Sequence, residues 1–158
     1  MRLSTKGQYA VRAMVSLACH QSDSPVTLSY ISDEEDISLS YLEQLFSKLR
    51  RANIVRSVKG PGGGYVLARP SKDITVREVI EMVEENLNPV SCLDNDSNGC
   101  ERADRCPTQR VWKGLSGKIK EFLNSISIDE LSREAKGIGE GTVPVLPQFE
   151  NGKRSRGL

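Results

Sequence analysis

Residues 38–65 read SLSYLEQLFSKLRRANIVRSVKGPGGGY, a helical pattern followed by a hairpin pattern. Four apolar residues in its first half recur at i, i+3, i+4 and i+7, the spacing of a buried helical face. They are Leu42, Leu45, Phe46 and Leu49. We therefore predict a helix from Leu39 to about Ala52, with Ser38 as its N-cap.

The second half of the stretch has the signature of a β-hairpin. Short apolar runs at 54–58 and 65–67 flank the turn at 59–64, which contains four glycines and a proline. Such a turn lets the backbone approach a partner closely, with Lys59 at its edge. A nucleotide-binding loop is the competing interpretation. However, the turn lacks the Lys-Ser/Thr ending of a P-loop and a helix directly after it.

Two further helices are predicted upstream of this stretch and one downstream. Ser4 or Thr5 can cap a helix running to about Ala18, and Thr27 can cap a short helix through about Glu35. Downstream, Thr75 can cap an amphipathic helix. Short helices, a tight turn, a third helix and a hairpin make a winged helix-turn-helix. The predicted fold is therefore mainly α with a small β-hairpin wing.

The third helix is the predicted recognition helix, because its face opposite the core is polar. Ser40 and Gln44 suit hydrogen bonding to base edges in the major groove. Glu43 would be repelled by phosphates unless it accepts from a cytosine amino group, so it favours sequence discrimination over affinity. A cationic strip without any acid adjoins this face: Lys48, Arg50, Arg51, Arg56 and Lys59. We predict that this surface binds double-stranded DNA; a merely solvated face is the alternative.

The charge of the whole chain agrees with one local docking face. The 158 residues carry a net charge of +1, with 37% hydrophobic and 27% charged residues. Residues 1–70 hold nine Lys/Arg against six Asp/Glu, whereas residues 71–136 hold ten against thirteen. A net charge near zero argues against indiscriminate coating of nucleic acid. No apolar run has the length of a membrane span and the N-terminus lacks a signal-peptide core, so we expect a cytoplasmic protein without a membrane partner.

Three cysteines mark a second candidate site. Cys92, Cys100 and Cys106 lie in a stretch, 88–107, that has no hydrophobic periodicity. Three thiolates on one loop can hold a soft metal or an iron–sulfur cluster. Arg102 and Arg105 would lower the thiol pKa values. No gap is a C-x2-C knuckle, which disfavours a zinc ribbon. Free or disulfide-forming thiols remain the alternative.

The C-terminal third predicts an oligomerisation element. A long helix from about Thr108 would carry one apolar stripe: Val111, Leu115, Ile119, Phe122 and Ile126. A small head cannot bury so much apolar surface, so we predict that the stripe packs against a second copy in a homodimer. Intramolecular packing is the alternative. The predicted organisation is a winged helix-turn-helix domain (1–86), a cysteine loop (87–107), a dimerisation helix with a short following helix (108–136) and a disordered tail (137–158).

Three motifs together resemble a known family. They are RLSTKGQYAV at 2–11, ISLSYLEQLFSKLR at 37–50 and KGPGGGY at 59–65, and the likeness continues to about Leu131. The chain closely resembles the IscR family of bacterial iron–sulfur cluster regulators. The resemblance implies a homodimer carrying a [2Fe-2S] cluster, supplied by the cluster-assembly machinery, that represses or activates cluster-biogenesis genes. It also implies base reading by Ser40, Glu43 and Gln44, a phosphate contact at Tyr41 and a wing contact by Lys59.

One position departs from this family. The family has a histidine three residues after the last cysteine, where this chain has Gln109. A neutral amide is a poor iron ligand, so the fourth ligand stays open between Glu101, Asp104, another carboxylate, an exogenous thiol and water. Related nitric-oxide sensors use a position that here is Gln8, also an amide. A three-cysteine [4Fe-4S] cluster is therefore the alternative to [2Fe-2S].

The remaining candidate groups favour no other chemistry. The one histidine, His20, is predicted to be a polar residue at a helix end. Cys19 is predicted to be a small buried residue. No catalytic triad or nucleotide fingerprint is present, so we expect no enzyme. The function predicted is a cluster-sensing transcription regulator, with a thiol–disulfide redox switch on the same DNA-binding head as the alternative.

Overall fold

The computed structural model describes residues 3–22, 24–84, 86–94 and 100–139. Within these ranges the protein has six α-helices and one antiparallel hairpin. The helices are α1 Thr5–His20, α2 Leu28–Glu35, α3 Leu39–Arg51, α4 Val76–Val83, α5 Gln109–Asn124 and α6 Ile128–Gly139, and the strands are β1 Val55–Val58 and β2 Gly64–Leu67. The predicted fold class is confirmed.

The first four helices begin at the predicted caps. The hydroxyls of Ser4, Thr27, Ser38 and Thr75 each accept a hydrogen bond from a main-chain N–H two or three residues later, at 3.2–3.3 Å. Each bond satisfies a donor that the helix itself leaves open. The first helix continues to His20, two residues beyond the predicted end.

The core of the head forms where α1, α2, α3, α4 and the hairpin meet. The predicted stripe of α3 is buried, with no member more than 3% exposed: Leu42, Leu45, Phe46 and Leu49. The ring of Phe46 packs edge-on against Tyr65 of β2, with 5.0 Å between centroids. This packing fixes the hairpin against α3.

The hairpin is also attached to the segment before α2. Tyr65 and Val26 exchange two main-chain hydrogen bonds, N–H to carbonyl, at 3.0 and 2.7 Å. A Cβ on Gly64 would lie 2.4 Å from the carbonyl oxygen of Val26, so glycine is required for this close approach. Tyr65 of β2 thus holds the wing in two ways, to Val26 through its main chain and to Phe46 of α3 through its ring.

The C-terminal helices differ from the predicted organisation. The fifth helix ends at Asn124, so Ile126 is not part of its stripe and instead packs against the head core. Ile128 is fully buried, and its N–H donates to the carbonyl of Ile74 at 2.9 Å. Since α6 packs on α1, this helix belongs to the head rather than to a separate unit at 108–136.

The predicted tail begins later than expected. Residues 137–139, assigned to the tail by sequence, continue α6. The rest of that prediction, 140–158, lies outside the described residues. Among the helices that the structure describes, none combines the length and the apolarity that crossing a bilayer requires.

Candidate nucleic-acid interface and cysteine loop

The recognition helix α3 separates its apolar and polar residues cleanly. Ser40, Glu43 and Gln44 are exposed on the side opposite the buried stripe. An open groove of about 410 Å³ runs along the start of the helix. Its lining combines α1, the turn before α3 and α3 itself: Tyr9, Asp36, Ile37, Ser38, Ser40, Tyr41 and Gln44. The structure thus brings the three predicted base-reading residues to one accessible face.

Two residues of α1 fix the start of this helix. The half-buried ring of Tyr41 meets the edge of Tyr9 at 5.8 Å between centroids. The guanidinium of Arg12 lies 5.5 Å from the Tyr9 ring centre, and its Nε donates to Glu35 of α2 at 2.9 Å. Sequence reasoning did not assign a role to Arg12. The basic residue had no partner at helical spacing, because Glu35 comes from another helix.

The cationic residues do not all point the same way. Arg50, Arg51, Arg56 and Lys59 are exposed, at the end of α3 and on the hairpin. Lys48, in contrast, is half-buried, and its Nζ donates to the main-chain carbonyl of Val83 at 3.3 Å. Its ammonium therefore contacts the last turn of α4, where helix carbonyls are unpaired and cations are favoured.

The three loop cysteines are half-buried and none forms a disulfide. Within the described part of the loop, which omits 95–99, the structure places no three Cys, His, Asp or Glu side chains at metal-binding distance. The donor set itself consists of three thiols, which suits iron, zinc or an iron–sulfur cluster. Gln109 stands at the first position of α5, three residues after Cys106. These three sulfurs fit a cluster by chemistry, without an imidazole.

Cys106 has an environment that favours its thiolate. Its Sγ lies 3.1 Å from the hydroxyl of Thr108. This hydrogen bond is the main reason that the pKa of Cys106 is lowered, and the N–H groups of Thr108 and Gln109 and the charge of Arg102 act in the same direction. Arg102 thus has the predicted effect on one thiol, although as the smallest contribution.

Cys19 and His20 contact neighbouring helices and lie apart from the cysteine loop. Burial raises the pKa of the Cys19 thiol, whose Sγ contacts the carbonyl of Ser132 in α6 at 3.5 Å. The Nε2 of His20 lies 2.6 Å from Glu34 of α2, and its ring meets Tyr30 edge-on at 4.9 Å. Both side chains contact neighbouring helices: His20 lies at the helix end, as predicted, whereas Cys19 is half-buried rather than fully buried.

Comparison with known proteins gives one family. The family described as Rrf2, iron-dependent transcriptional regulator, matches residues 3–134. The HTH-type transcriptional regulators IscR of Pectobacterium carotovorum and Photorhabdus laumondii are 49% and 50% identical over 131 residues, covering 83% of this chain and 79% of each relative.

Solved structures agree with this family. T. potens IscR is 34% identical with a TM-score of 0.71 and covers 94% of each chain. CymR, the global cysteine regulator of B. subtilis, is also 34% identical, with a TM-score of 0.69 over 84% of this chain and 97% of its own.

Proposed function

The chain belongs to the Rrf2 family of iron-dependent transcriptional regulators. We propose that it senses iron–sulfur clusters and controls the genes of their biogenesis. As a winged-helix transcription regulator it binds DNA. We place it in the cytoplasm, where promoter DNA is found, and we assign it no enzymatic reaction.

The observation that carries the DNA-binding part is the two-sided character of α3. Its buried stripe anchors the helix, so that Ser40, Glu43 and Gln44 face outward in a fixed order. Lys59 is exposed at the start of the wing turn, and a cation there can reach a phosphate or a narrow minor groove. We assign base reading to the three α3 residues, a phosphate contact to Tyr41, and backbone attraction to Arg50, Arg51 and Lys59.

The cluster part rests on the donor set of the loop. Cys92, Cys100 and Cys106 would hold a [2Fe-2S] cluster, or a [4Fe-4S] cluster as the second possibility, received from the cluster-assembly machinery. A bound cluster supplies a redox-sensitive, exchangeable group. The chain supplies three sulfurs, and Thr108 supplies a hydroxyl beside the third of them. With Gln109 in place of histidine, we expect the fourth position to be weakly held, which suits a sensor.

We further propose that the regulator is a homodimer through α5. Val111 is 54% exposed, Leu115 39% and Phe122 40%, all on one face of a helix about 24 Å long. Burying this face against a second copy would remove the apolar surface from water. A symmetric dimer predicts a near-palindromic operator with half-sites about one helical turn apart.

A thiol–disulfide switch is the second candidate. It is favoured by Cys106, whose lowered pKa makes the thiol more reactive than an ordinary one. The two candidates share the DNA-binding head and differ only in what the cysteines do.

The test is to purify the protein without oxygen and to measure iron, acid-labile sulfide and Mössbauer spectra. We expect iron and sulfide in matching amounts, and we expect replacement of all three loop cysteines with alanine to abolish both. The same preparations are then titrated with promoter DNA. A colourless, iron-free protein whose DNA affinity responds to oxidants would replace the cluster proposal with the thiol switch.

The role of Glu43 needs its own measurement. Glu43→Ala should relax the preference among operator sequences while leaving the affinity for the best operator within about threefold, because a discriminating carboxylate contributes little attraction. Gln44→Ala is the matched comparison, and we expect it to weaken binding to the best operator. Unaltered discrimination in Glu43→Ala would contradict the assignment.

A further inference from the structure

Glu84, at the C-terminal end of α4, holds the beginning of α1. Its Oε1 accepts hydrogen bonds from the Ser4 N–H at 3.1 Å, the Ser4 hydroxyl at 2.7 Å and the Gly7 N–H at 3.1 Å. A carboxylate is favoured here because the first N–H groups of a helix are unpaired and carry partial positive charge. This side chain therefore fixes α1 relative to α4.

The fit around this carboxylate is close. A Cβ on Gly7 would lie 2.4 Å from Glu84 Oε1, so a larger residue would push the carboxylate away from these hydrogen bonds. One residue earlier, the carbonyl of Val83 accepts from Lys48 of the recognition helix. The end of α4 thus contacts both α3, which carries the base-reading residues, and α1, which positions Tyr41 through Tyr9.

Asn88 makes a second set of contacts on the other side. Its Nδ2 donates to the carbonyl of Leu93 at 2.9 Å and to Asp94 Oδ1 at 3.2 Å, directly after Cys92. Its Oδ1 accepts from the hydroxyl of Ser116, a buried residue of α5, at 3.1 Å. One amide therefore joins the cysteine loop to α5 and uses both its donor and its acceptor to do so.

Glu84 and Asn88 are separated by residues 85–87 alone, and Leu87 packs against the head core. We propose that these two side chains are the positioning residues through which the state of the cysteine loop reaches the DNA-binding head. Asn88 holds the segment after Cys92, and Glu84 holds α1 and the end of α4. Cys92, Cys100 and Cys106 would hold a cluster, and a change in the position of Cys92 would alter the contacts of Asn88 with Leu93 and Asp94. The short connection to Glu84 would then carry this change to α1. This inference rests on the proposed function.

The test compares the DNA affinities of the cluster-loaded and cluster-free protein as a ratio. Asn88→Asp keeps the acceptor for Ser116 but removes the donor to Leu93 and repels Asp94, so it breaks the loop contact alone. In this variant we expect the ratio of cluster-loaded to cluster-free DNA affinity to come within about twofold of one. The DNA affinity of its cluster-free form should stay within about twofold of the wild-type value. Asn124→Asp, the same chemical change on the exposed end of α5, should keep the wild-type ratio.

The contact to the head is tested separately by two variants of Glu84. Glu84→Ala removes all three hydrogen bonds and should also bring the affinity ratio toward one. Glu84→Gln keeps an acceptor oxygen and should restore much of the wild-type ratio. A merely structural role would weaken binding in both cluster states equally and leave the ratio unchanged.

A hydrogen-exchange measurement on the cluster-free protein makes the test independent of cluster binding. Hydrogen exchange of the amides at 91–94 should accelerate in Asn88→Asp by about tenfold, as expected when a local hydrogen bond is lost. Unchanged exchange, or an unchanged affinity ratio in Asn88→Asp and Glu84→Ala, would overturn the inference. If the wild-type protein itself shows equal affinity with and without iron and sulfide, the proposed cluster sensing fails instead.

Discussion

The DNA-binding head and the cysteine loop obtain their shapes from different sources. Buried hydrophobic residues run through the head from Ala10 to Val83 and return at Ile128, whereas no described residue between 86 and 106 is buried. The head can therefore form from its own apolar contacts. The loop is held by hydrogen bonds such as those of Asn88, and its three thiols are the donors of the proposed cluster. A head packed on buried apolar side chains thus adjoins a loop held by polar contacts in one small protein.

The largest expected difference between the two regions is in stability. Phe46→Ala removes a fully buried ring that contacts Tyr65, and we expect a loss of about 3–5 kcal/mol in the free energy of unfolding. Replacing Cys92, Cys100 and Cys106 with alanine should change the stability of the cluster-free protein by no more than about 0.5 kcal/mol each. Urea unfolding followed by circular dichroism measures both. A loop variant as destabilised as Phe46→Ala would erase the contrast.

A smaller effect is expected at the boundary between the regions. Gly7→Ala would place a Cβ against Glu84 and drive that carboxylate from its hydrogen bonds, so we expect a net loss of about 1 kcal/mol. Gly117→Ala is the matched control, because nothing lies within 4 Å of its added Cβ. That helical substitution should stabilise by about 0.5–1 kcal/mol. Equal effects at the two glycines would mean that the Glu84 contact contributes nothing to stability.

Within the head, two lysines should differ in how they affect DNA binding. Lys59→Ala should reduce the slope of log affinity against log salt by about 0.9, as expected for one lost phosphate contact. Lys48→Ala should leave that slope unchanged, because its ammonium contacts the Val83 carbonyl. Anisotropy titrations of an operator duplex at several salt concentrations measure both. A reduced slope for Lys48→Ala would return this residue to the phosphate-contacting set.

The smallest effect concerns the thiols themselves. The pKa of Cys106 is lowered and that of Cys19 is raised, so in metal-free protein Cys106 should react with iodoacetamide at a lower pH than Cys19. Only the thiolate reacts with iodoacetamide, so a thiol with a lowered pKa is alkylated at lower pH. Thr108→Ala removes the main cause of the lowered pKa and should shift the alkylation profile of Cys106 upward in pH. Mass spectrometry of peptides alkylated across pH resolves the two sites.

The sequence predicts the head well because apolar residues at helical spacing and hydroxyl caps mark its helices. The stripe of α3 and the four hydroxyl caps are local patterns, and the structure confirms them. Lys48 shows the limit of such reasoning. Ser40, Gln44 and Lys48 follow one another at intervals of four residues. At 3.6 residues per turn, each interval rotates the side-chain direction by about 40° around the helix axis. Lys48 therefore lies about 80° from Ser40, toward α4. Periodicity gives this angle but not the neighbouring helix that occupies it.

The C-terminal region shows a second limit. Ile126 continues the spacing of Val111 and Leu115, yet α5 ends at Asn124 and the chain turns so that Ile128 enters the head core. A stripe does not reveal where a helix stops when no glycine or proline marks the end. The cysteine loop has no hydrophobic periodicity. Composition could therefore point to Cys92, Cys100 and Cys106 as candidate donors but not to their arrangement, nor to the contacts of Asn88.

The attachment of the wing to Val26 has a consequence for the duplex. Because Tyr65 is bonded to Val26 before α2 and packs on Phe46 of α3, the hairpin cannot swing separately from the reading helix. Under the proposed contact of Lys59 with the duplex, a wing whose base is fixed in this way follows variations in groove width poorly. The double helix must supply the adjustment, so promoters whose base steps bend at low cost should be occupied first even where every contacted base is the same.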